Sequence, residues 1–436
     1  MRAVIMAGGK GTRLLTFTRN QIPKPMAPVC GKPILQWQIE CLKANSITEI
    51  CIITGHLGET IQEYFGTGDF FGVSIQYFHE NIPLGTAGAI AHIASFIKNE
   101  NFLLVFGDTI FDIDIERMLS YHKKKNSSIT LFVHPNSHPV DSDIVILDDN
   151  KKVIKIDSKN NIRKYWYNNI VNAGLYLISS KVIEDVPKSG KIDLEKDIIS
   201  KKIEKNDEIY GYLSTEYIKD AGTIERISQI ELDIFSGVVS AKNLLKKQKC
   251  IFLDRDGTIN LDKGLIYKPD DLILEHTAVD AIKKINHSSY LAIVITNQPS
   301  VARGLCDIED IQEIHRKLCT LLGQDGAFID DIQFCPHHPD RGYPGENLEY
   351  KIPCQCRKPS IEMITRSAQA WNIDLSQSWI IGDTTVDIQT GKNAGLKTVL
   401  VKTGQAGLDG KFTASPDRVC KNILDAVNTI LQGETS

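Results

Sequence analysis

Lys249–Asn260 reads KCIFLDRDGTIN, and this stretch decides how the chain divides. The apolar run Cys250, Ile251, Phe252, Leu253 stops abruptly at Asp254-Arg255-Asp256-Gly257-Thr258. A buried strand followed by an acidic turn is what an α/β fold places at the carboxyl edge of its sheet, where ligands bind. Two aspartates two residues apart can aim at one phosphate and share one Mg²⁺ if the loop holds them together. The same DxDG pattern also occurs in plain turns and calcium loops. The stretch lies mid-chain yet reads as the first strand of a new domain, so its partners belong downstream.

The chain has 436 residues, enough for two or three domains. Its formal net charge is −4, with no basic excess to suggest nucleic acid and no long charge block to suggest a tail. No apolar run approaches the roughly 18 residues of a membrane span, and MRAVIMAGGKGTR lacks the apolar core of a signal peptide. The ten Cys are mostly scattered, without the spacing of a disulfide scaffold, which points to a reducing cytoplasm. Small molecules are the expected partners, with neither nucleic acid nor membrane; a homo-oligomer stays open.

Upstream, residues 1 to 235 alternate short apolar runs with helical patterns, as βα units on a mostly parallel sheet do. Arg2–Met6 reads as a buried strand running into Ala7-Gly8-Gly9-Lys10-Gly11-Thr12-Arg13. Successive backbone N–H groups of such a loop can wrap a phosphate chain; a tight turn without a ligand is the other reading. Pro23 and Pro25 hold the backbone around Lys24 extended. The Lys24 ammonium can then face phosphates cradled by the loop, or else it is a surface lysine. Residues 236–248 read as a helix tail and a brief linker.

GGKGTRL followed by PKPM resembles the sugar-1-phosphate nucleotidylyltransferases. Pro83-Leu84-Gly85-Thr86-Ala87-Gly88-Ala89 resembles the family's base-side segment, with Gly85 and Gly88, and Leu103–Asp108 is a strand ending in an acid. Asn172-Ala173-Gly174-Leu175-Tyr176 resembles the sugar-facing segment, Asp193–Asp197 with Glu195 the LExD segment, and Asp220–Thr223 the D-x-G-T segment. The resemblance implies a GT-A-like sheet and an in-line attack, in which a sugar-1-phosphate oxygen displaces pyrophosphate from a nucleoside triphosphate. Catalysis of that kind is mainly positioning and electrostatic clamping. It implies Gly8, Gly9, Gly11 and Thr12 around the phosphates, Arg13 on the departing pyrophosphate, and Lys24 along the α-phosphate and incoming phosphate. Asp108 and Asp220 become the Mg²⁺ ligands, hard oxygen donors for a hard ion. Two positions depart from the pattern. Thr16 replaces the usual proline, and Ser158-Lys159 replaces the usual Glu-Lys pair, leaving Lys159 for the sugar phosphate and the choice of sugar open.

Downstream, the strand Leu291–Ile295 ends in Thr296-Asn297-Gln298, Lys358 sits in CRKP, and the strand Trp379–Ile381 ends in Gly382-Asp383. Three strand ends with polar tips plus a lysine resemble the haloacid dehalogenase superfamily of phosphatases over most of residues 249–400. The resemblance implies that Asp254 attacks phosphorus and that Asp256 first gives a proton to the leaving oxygen and then takes one from water. Mg²⁺ would be held by Asp254, the Asp256 carbonyl and Asp383, with Thr296 and Lys358 on the remaining phosphate oxygens and Asp387 as an orienting group. Between these motifs, Cys335, His337, Cys354 and Cys356 form two tight pairs of soft ligands that suit a tetrahedral, structural Zn²⁺; thiols without a metal are the other reading. CPHHP with CQCRKP, ITNQ and ARG resembles the D-glycero-D-manno-heptose 1,7-bisphosphate phosphatases, and histidinol-phosphate phosphatases share the zinc loop. Asn297, Arg303 and Arg357 are then substrate-side candidates, the two guanidinium forks for a second phosphate, although either arginine could be a surface ion-pair residue.

The expected fold is α/β with two Rossmann-like domains: a nucleotidyltransferase over 1–235, a linker over 236–248 and a haloacid dehalogenase-like phosphatase with a zinc loop over 249–436. The expected function is bifunctional, because a phosphatase that leaves heptose 1-phosphate supplies the substrate that the first half needs. The product would be a nucleotide-activated heptose for surface polysaccharide, with resemblance favouring GTP and the α-anomer. Competing readings are a hexose-1-phosphate enzyme fused to a histidinol-phosphate-type phosphatase, a first half that binds nucleotide sugar without turnover, and a zinc loop that serves as an interaction module.

Overall fold

The computed structural model of the chain describes residues 1–9, 21–187 and 189–433; Gly11, Thr12, Arg13 and Thr16 lie outside the described residues. Two compact units are present. The first comprises Met1–His134, Val145–Ser158 and Ile170–Asn243, and the second Pro135–Ile144, Lys159–Asn169 and Leu244–Ser436. Among the described residues no helix is long and apolar enough to cross a membrane.

In the first unit the strand Arg2–Ala7 is central. Its alternating side chains enter two separate cores, Ala3, Ile5 and Ala7 on one face and Val4 on the other, so the strand is apolar from Ala3 onward. Parallel neighbours are Glu49–Thr54 on one side, itself paired with Ser74–His79, and Phe102–Phe106 on the other. Val171–Ile178 then joins Phe102–Phe106 antiparallel. The chain thus builds outward in one direction and returns to the other side of its first strand. That reversal leaves a crevice beyond the carboxyl ends of Arg2–Ala7 and Phe102–Phe106. A separate antiparallel ribbon pairs Thr109–Asp112 with Tyr217–Asp220, and the Ala221 N–H donates to the Asp108 carbonyl at 2.8 Å. This ribbon brings residues 108 and 220 together across the sequence.

The second unit contains a six-stranded, wholly parallel sheet. Its spatial order is Asp331–Cys335, Tyr290–Asn297, Lys249–Leu253, Trp379–Gly382, Lys397–Val401, Arg418–Cys420. The order reverses at Lys249–Leu253, where Leu253 is in register with Val294 on one side and Ile381 on the other. Asp254, Thr296 and Asp383 therefore share one edge of the sheet. The helix Ile308–Gln324 starts at a reciprocal cap in which Asp307 and Asp310 each accept the other's backbone N–H. Its far end meets the inserted segments 135–144 and 159–169. Thr320 Oγ1 accepts from the Tyr167 N–H at 2.9 Å and donates to the Tyr167 carbonyl at 3.0 Å, and a Cβ at Gly323 would stand 2.6 Å from Pro139.

Two candidate active sites

In the first unit a cavity of about 420 Å³ is lined by Gly8, Gly9, Lys24, Glu80, Gly85, Asp108 and Lys191, among others. Lys24 opens a short turn, Lys24–Met26, stiffened by Pro25, and its Nζ reaches Asp108 Oδ2 at 2.5 Å. Gly85 has φ of +75°, and a Cβ there would collide with the Ile192 carbonyl, which accepts the Ala87 N–H at 3.0 Å. Glu80 sits over the start of the glycine loop, since a Cβ at Gly8 would come within 2.6 Å of its Oε2. Its Oε1 accepts the Leu84 N–H at 2.9 Å.

Asp220 meets Arg226, whose Nη1 lies 2.7 and 2.8 Å from the two carboxylate oxygens. Thr223 caps the helix Ile224–Phe235 by accepting the Arg226 N–H, which explains the threonine of that segment. Asn172 and Glu195 come together: Asn172 Nδ2 donates to Glu195 Oε1 at 2.8 Å, and Tyr176 donates to the same oxygen. Gly174, at φ +73°, lies against the Phe106 ring that lines the cavity. Gly88 is inside the helix Thr86–His92, packed near Leu84 rather than lining the cavity. Lys159 belongs to the second unit, where its N–H donates to Asp143 Oδ1 at 2.7 Å. Lys191 takes a place on the cavity wall that no sequence motif marked. Arg226 was missed for the same reason.

The second site gathers around Lys358, buried with its Nζ 2.8 Å from Asp254 Oδ1 and 2.6 Å from Asp387 Oδ1. One ligand oxygen each from Asp254, Asp383 and Asp387 lie within 4.8 Å of one another. Burial, then the neighbouring Asp387 carboxylate, pushes Asp254 up to about 7. Asp383 is pushed up to about 8 by burial and then by Asp254 and Asp387. Burial works against the Lys358 ammonium, but Asp254 and Asp387 outweigh it and hold its pKa above the ordinary lysine value. Burial raises the two acids first, and the neighbouring carboxylates add to that rise more than the one ammonium offsets. Asp383 Oδ2 accepts the Gln405 N–H at 2.7 Å, whereas its buried Oδ1 has no hydrogen-bond partner. An orphaned carboxylate oxygen in a crowd of acids fits a hard divalent cation.

Asp256 Oδ2 accepts from Gln298 Nε2 at 2.8 Å, a contact sequence reading did not anticipate. Thr296 Oγ1 accepts from the same amide at 3.0 Å. Asn297 was expected at the substrate, but its amide holds the Lys358 main chain at both ends, accepting the Lys358 N–H at 2.9 Å and donating to the Lys358 carbonyl at 3.2 Å. Asp387 Oδ2 accepts from the Thr384 N–H and hydroxyl, so the carboxylate ties Lys358 to the start of the helix Thr385–Ala394.

Cys335, His337, Cys354 and Cys356 converge with ligand atoms within 4.8 Å of one another. The S···S separations are 3.1, 3.4 and 3.5 Å, and His337 Nδ1 is 3.3 Å from Cys356 and 3.7 Å from Cys335. A tetrahedral site with metal–sulfur bonds of about 2.3 Å has S···S edges of roughly 3.8 Å, so the four ligands are gathered somewhat more tightly than such a site and need to spread by a few tenths of an ångström to hold the ion. All ten cysteines are free. Next to the cluster, Arg357 Nη1 donates to the His337 carbonyl at 3.1 Å, and Arg303 stacks 4.6 Å over Tyr343 with its buried Nε unpartnered. Burial first, and then the positive charge of Arg303, lower the Arg357 pKa.

One mixed and one parallel sheet, each with carboxylates near a strand-order reversal and a lysine drawn onto them, define an enzyme with two phosphate-handling centres, a nucleotidyltransferase and a phosphatase. Residues 2–236 match the nucleotidyl transferase family and residues 355–426 the HAD-hydrolase-like family. The first half is 32% identical to D-glycero-alpha-D-manno-heptose 1-phosphate guanylyltransferase of Aneurinibacillus thermoaerophilus, over 51% of this chain and 93% of that relative. It is also 29% identical to mannose-1-phosphate guanylyltransferase of Mycobacterium tuberculosis, over 56% of this chain and 67% of that protein. The second half is 35% identical to D-glycero-beta-D-manno-heptose-1,7-bisphosphate 7-phosphatase of Haemophilus ducreyi, over 41% of this chain and 97% of that relative. The chain belongs to the nucleotidyl transferase family through its first half and to the heptose-bisphosphate phosphatase family through its second.

Proposed function

We propose that the chain performs two consecutive steps: it removes the 7-phosphate of D-glycero-D-manno-heptose 1,7-bisphosphate, and it transfers GMP from GTP to the resulting heptose 1-phosphate, releasing pyrophosphate. The observation that carries this reading is that one chain holds both sites and that the product of one is chemically the substrate of the other. In the second unit Asp254 attacks the 7-phosphorus, Lys358 and Thr296 neutralise phosphate oxygens, and Asp256 handles the proton. The unpartnered Arg303 Nε and the adjacent Arg357 support recognition of the phosphate that stays on the sugar.

Mg²⁺ would be held by Asp254, Asp383 and the Asp256 carbonyl in the second unit, and by Asp108 and Asp220 in the first. It supplies charge neutralisation where an anionic nucleophile meets a phosphate. In the first unit the two carboxylates engage Lys24 and Arg226, which must yield part of that contact to an ion. The Cys₃His cluster supports a structural Zn²⁺ with no open position. Ten free thiols suit a reducing cytoplasm.

Guanine is supported by Glu80. Its carboxylate can only accept hydrogen bonds, and guanine offers two adjacent donors on its pairing edge where uracil and thymine offer one donor between two carbonyls. The test is purified protein given the α- or β-anomer of heptose 1,7-bisphosphate, Mg²⁺ and each nucleoside triphosphate in turn, with phosphate, pyrophosphate and nucleotide-heptose quantified. GDP-heptose from one anomer is expected. Failure to form nucleotide-heptose with any triphosphate rejects the coupled reading, and product from mannose 1-phosphate alone moves the first half to a hexose.

A further inference from the structure

Arg255 heads the fully buried side chains of the molecule, and the reaction described above makes no use of it. A guanidinium keeps its charge at any physiological pH, so its burial requires partners on every side. Nε lies 3.0 Å from Asp256 Oδ1, and Nη2 lies 2.9 and 3.0 Å from the two oxygens of the same carboxylate. Nη1 points away from Asp256, to His315 Nε2 at 3.2 Å. Because a guanidinium has only donors, His315 Nε2 accepts, and the imidazole is neutral with its proton on Nδ1. His315 is buried on the helix Ile308–Gln324, its ring edge-on to Phe334 at 5.3 Å. Asn260 Nδ2 at 3.0 Å and Gln298 Nε2 at 2.8 Å complete the surroundings of Asp256, so its carboxylate is met by donors alone.

We propose that His315 and Arg255 form a positioning relay that stations the Asp256 carboxylate as the proton acceptor for hydrolysis of the aspartyl-phosphate. The relay rests on the reading of Asp254 as nucleophile and Asp256 as its proton partner. In this step a water oxygen bonds to phosphorus while the phosphorus–oxygen bond to Asp254 breaks, its electron pair returning to the Asp254 carboxylate. One water proton passes to Asp256. A carboxylate receiving N–H groups on both oxygens is held in one orientation, and that orientation is what this second step uses. His315 touches none of the reacting atoms. It fixes the plane of the guanidinium, and the guanidinium fixes the carboxylate.

The test uses the full chain, Mg²⁺ and 4-nitrophenyl phosphate, whose leaving group needs no proton. His315→Phe removes the acceptor and keeps an aromatic ring beside Phe334. The expected result is a burst of nitrophenolate followed by turnover about tenfold slower than the parent, a modest share of what acid–base catalysis supplies. Phosphorylated enzyme accumulates on acid quench, and kcat falls more than kcat/KM. His315→Gln, whose side-chain oxygen can accept from Nη1, restores the parent time course. His315→Met is read by the same criteria where the phenylalanine variant fails to fold. Parallel loss of kcat and kcat/KM without phosphoenzyme, or no change in kcat, overturns the relay. Asp254→Asn keeps the two failures apart: phosphate release by that variant removes the aspartyl-phosphate reading itself, whereas an inert Asp254→Asn beside a parent-like His315→Phe removes the relay alone.

Discussion

Lys358 is a single cation facing two buried carboxylates, with a third beside them. Lys358→Met leaves those acids without compensation, and unpairing a buried ion pair costs about 3–5 kcal/mol. The expected outcome is a lowered thermal midpoint in EDTA, partly recovered on adding Mg²⁺, with phosphate release lost in both conditions. A midpoint equal to the parent's in EDTA contradicts this picture. At this scale much was legible, because Asp254, Asp383 and Gly8 follow strands directly, Asp108 comes two residues after one, and patterns of that kind are local. Arg226, Lys191, Gln298 and the Arg255–His315 contact were not, because each is defined by a partner from another segment. Asn297 shows the converse: a polar strand tip reads as a ligand contact, while its amide holds the neighbouring chain.

Elements respond to chemistry that no single motif displays. The helix Ile115–Lys125 buries His122 against Thr130 of the strand Ile129–His134, with Nδ1 2.8 Å from Thr130 Oγ1. Burial, and then Lys123, lowers the His122 pKa to about 4. A histidine depressed in the folded state contributes stability that is complete above its unfolded value and lost as pH falls from about 6.5 toward 4, at most about 3 kcal/mol. His122→Gln should flatten that part of the stability curve, which urea titrations at pH 7 and pH 4.5 will measure. The loop between Cys335 and Cys356 contains only one short turn of helix, Leu348–Tyr350, so its shape depends on the cysteine–histidine cluster. Stripping with a zinc chelator and restoring Mg²⁺ should release one zinc per chain and abolish phosphate release, and Cys354→Ser should reproduce the loss; full activity in metal-stripped protein contradicts a structural ion. The cluster was legible because ligand spacing is local, whereas the spatial order of the parallel strands was not, since crossovers can place a strand on either side of the first.

The whole molecule joins two chemistries that need not share residues. Asp254→Asn is expected to leave nucleotidyl transfer from supplied heptose 1-phosphate at the parent rate, and Lys24→Met to leave phosphate release intact. Mixing the two variants should then restore GDP-heptose formation from the bisphosphate, followed by chromatography of the products. No product from the mixture means that the intermediate is not handed over through solution. The alternation of strands and helices announced two α/β units in the sequence, but it could not reveal that segments 135–144 and 159–169 group with the later unit, because that depends on packing against Thr320 and Gly323.

Those two inserts bear on how such a gene can evolve. Recombination near codon 244 would give a chimaera whose new helix meets a foreign proline where Gly323 now receives Pro139, and a foreign backbone where Thr320 now holds Tyr167. Exchange of the later half between homologues is therefore expected to succeed most often when both inserts travel with it, which ties the histories of the two enzymes to one reading frame.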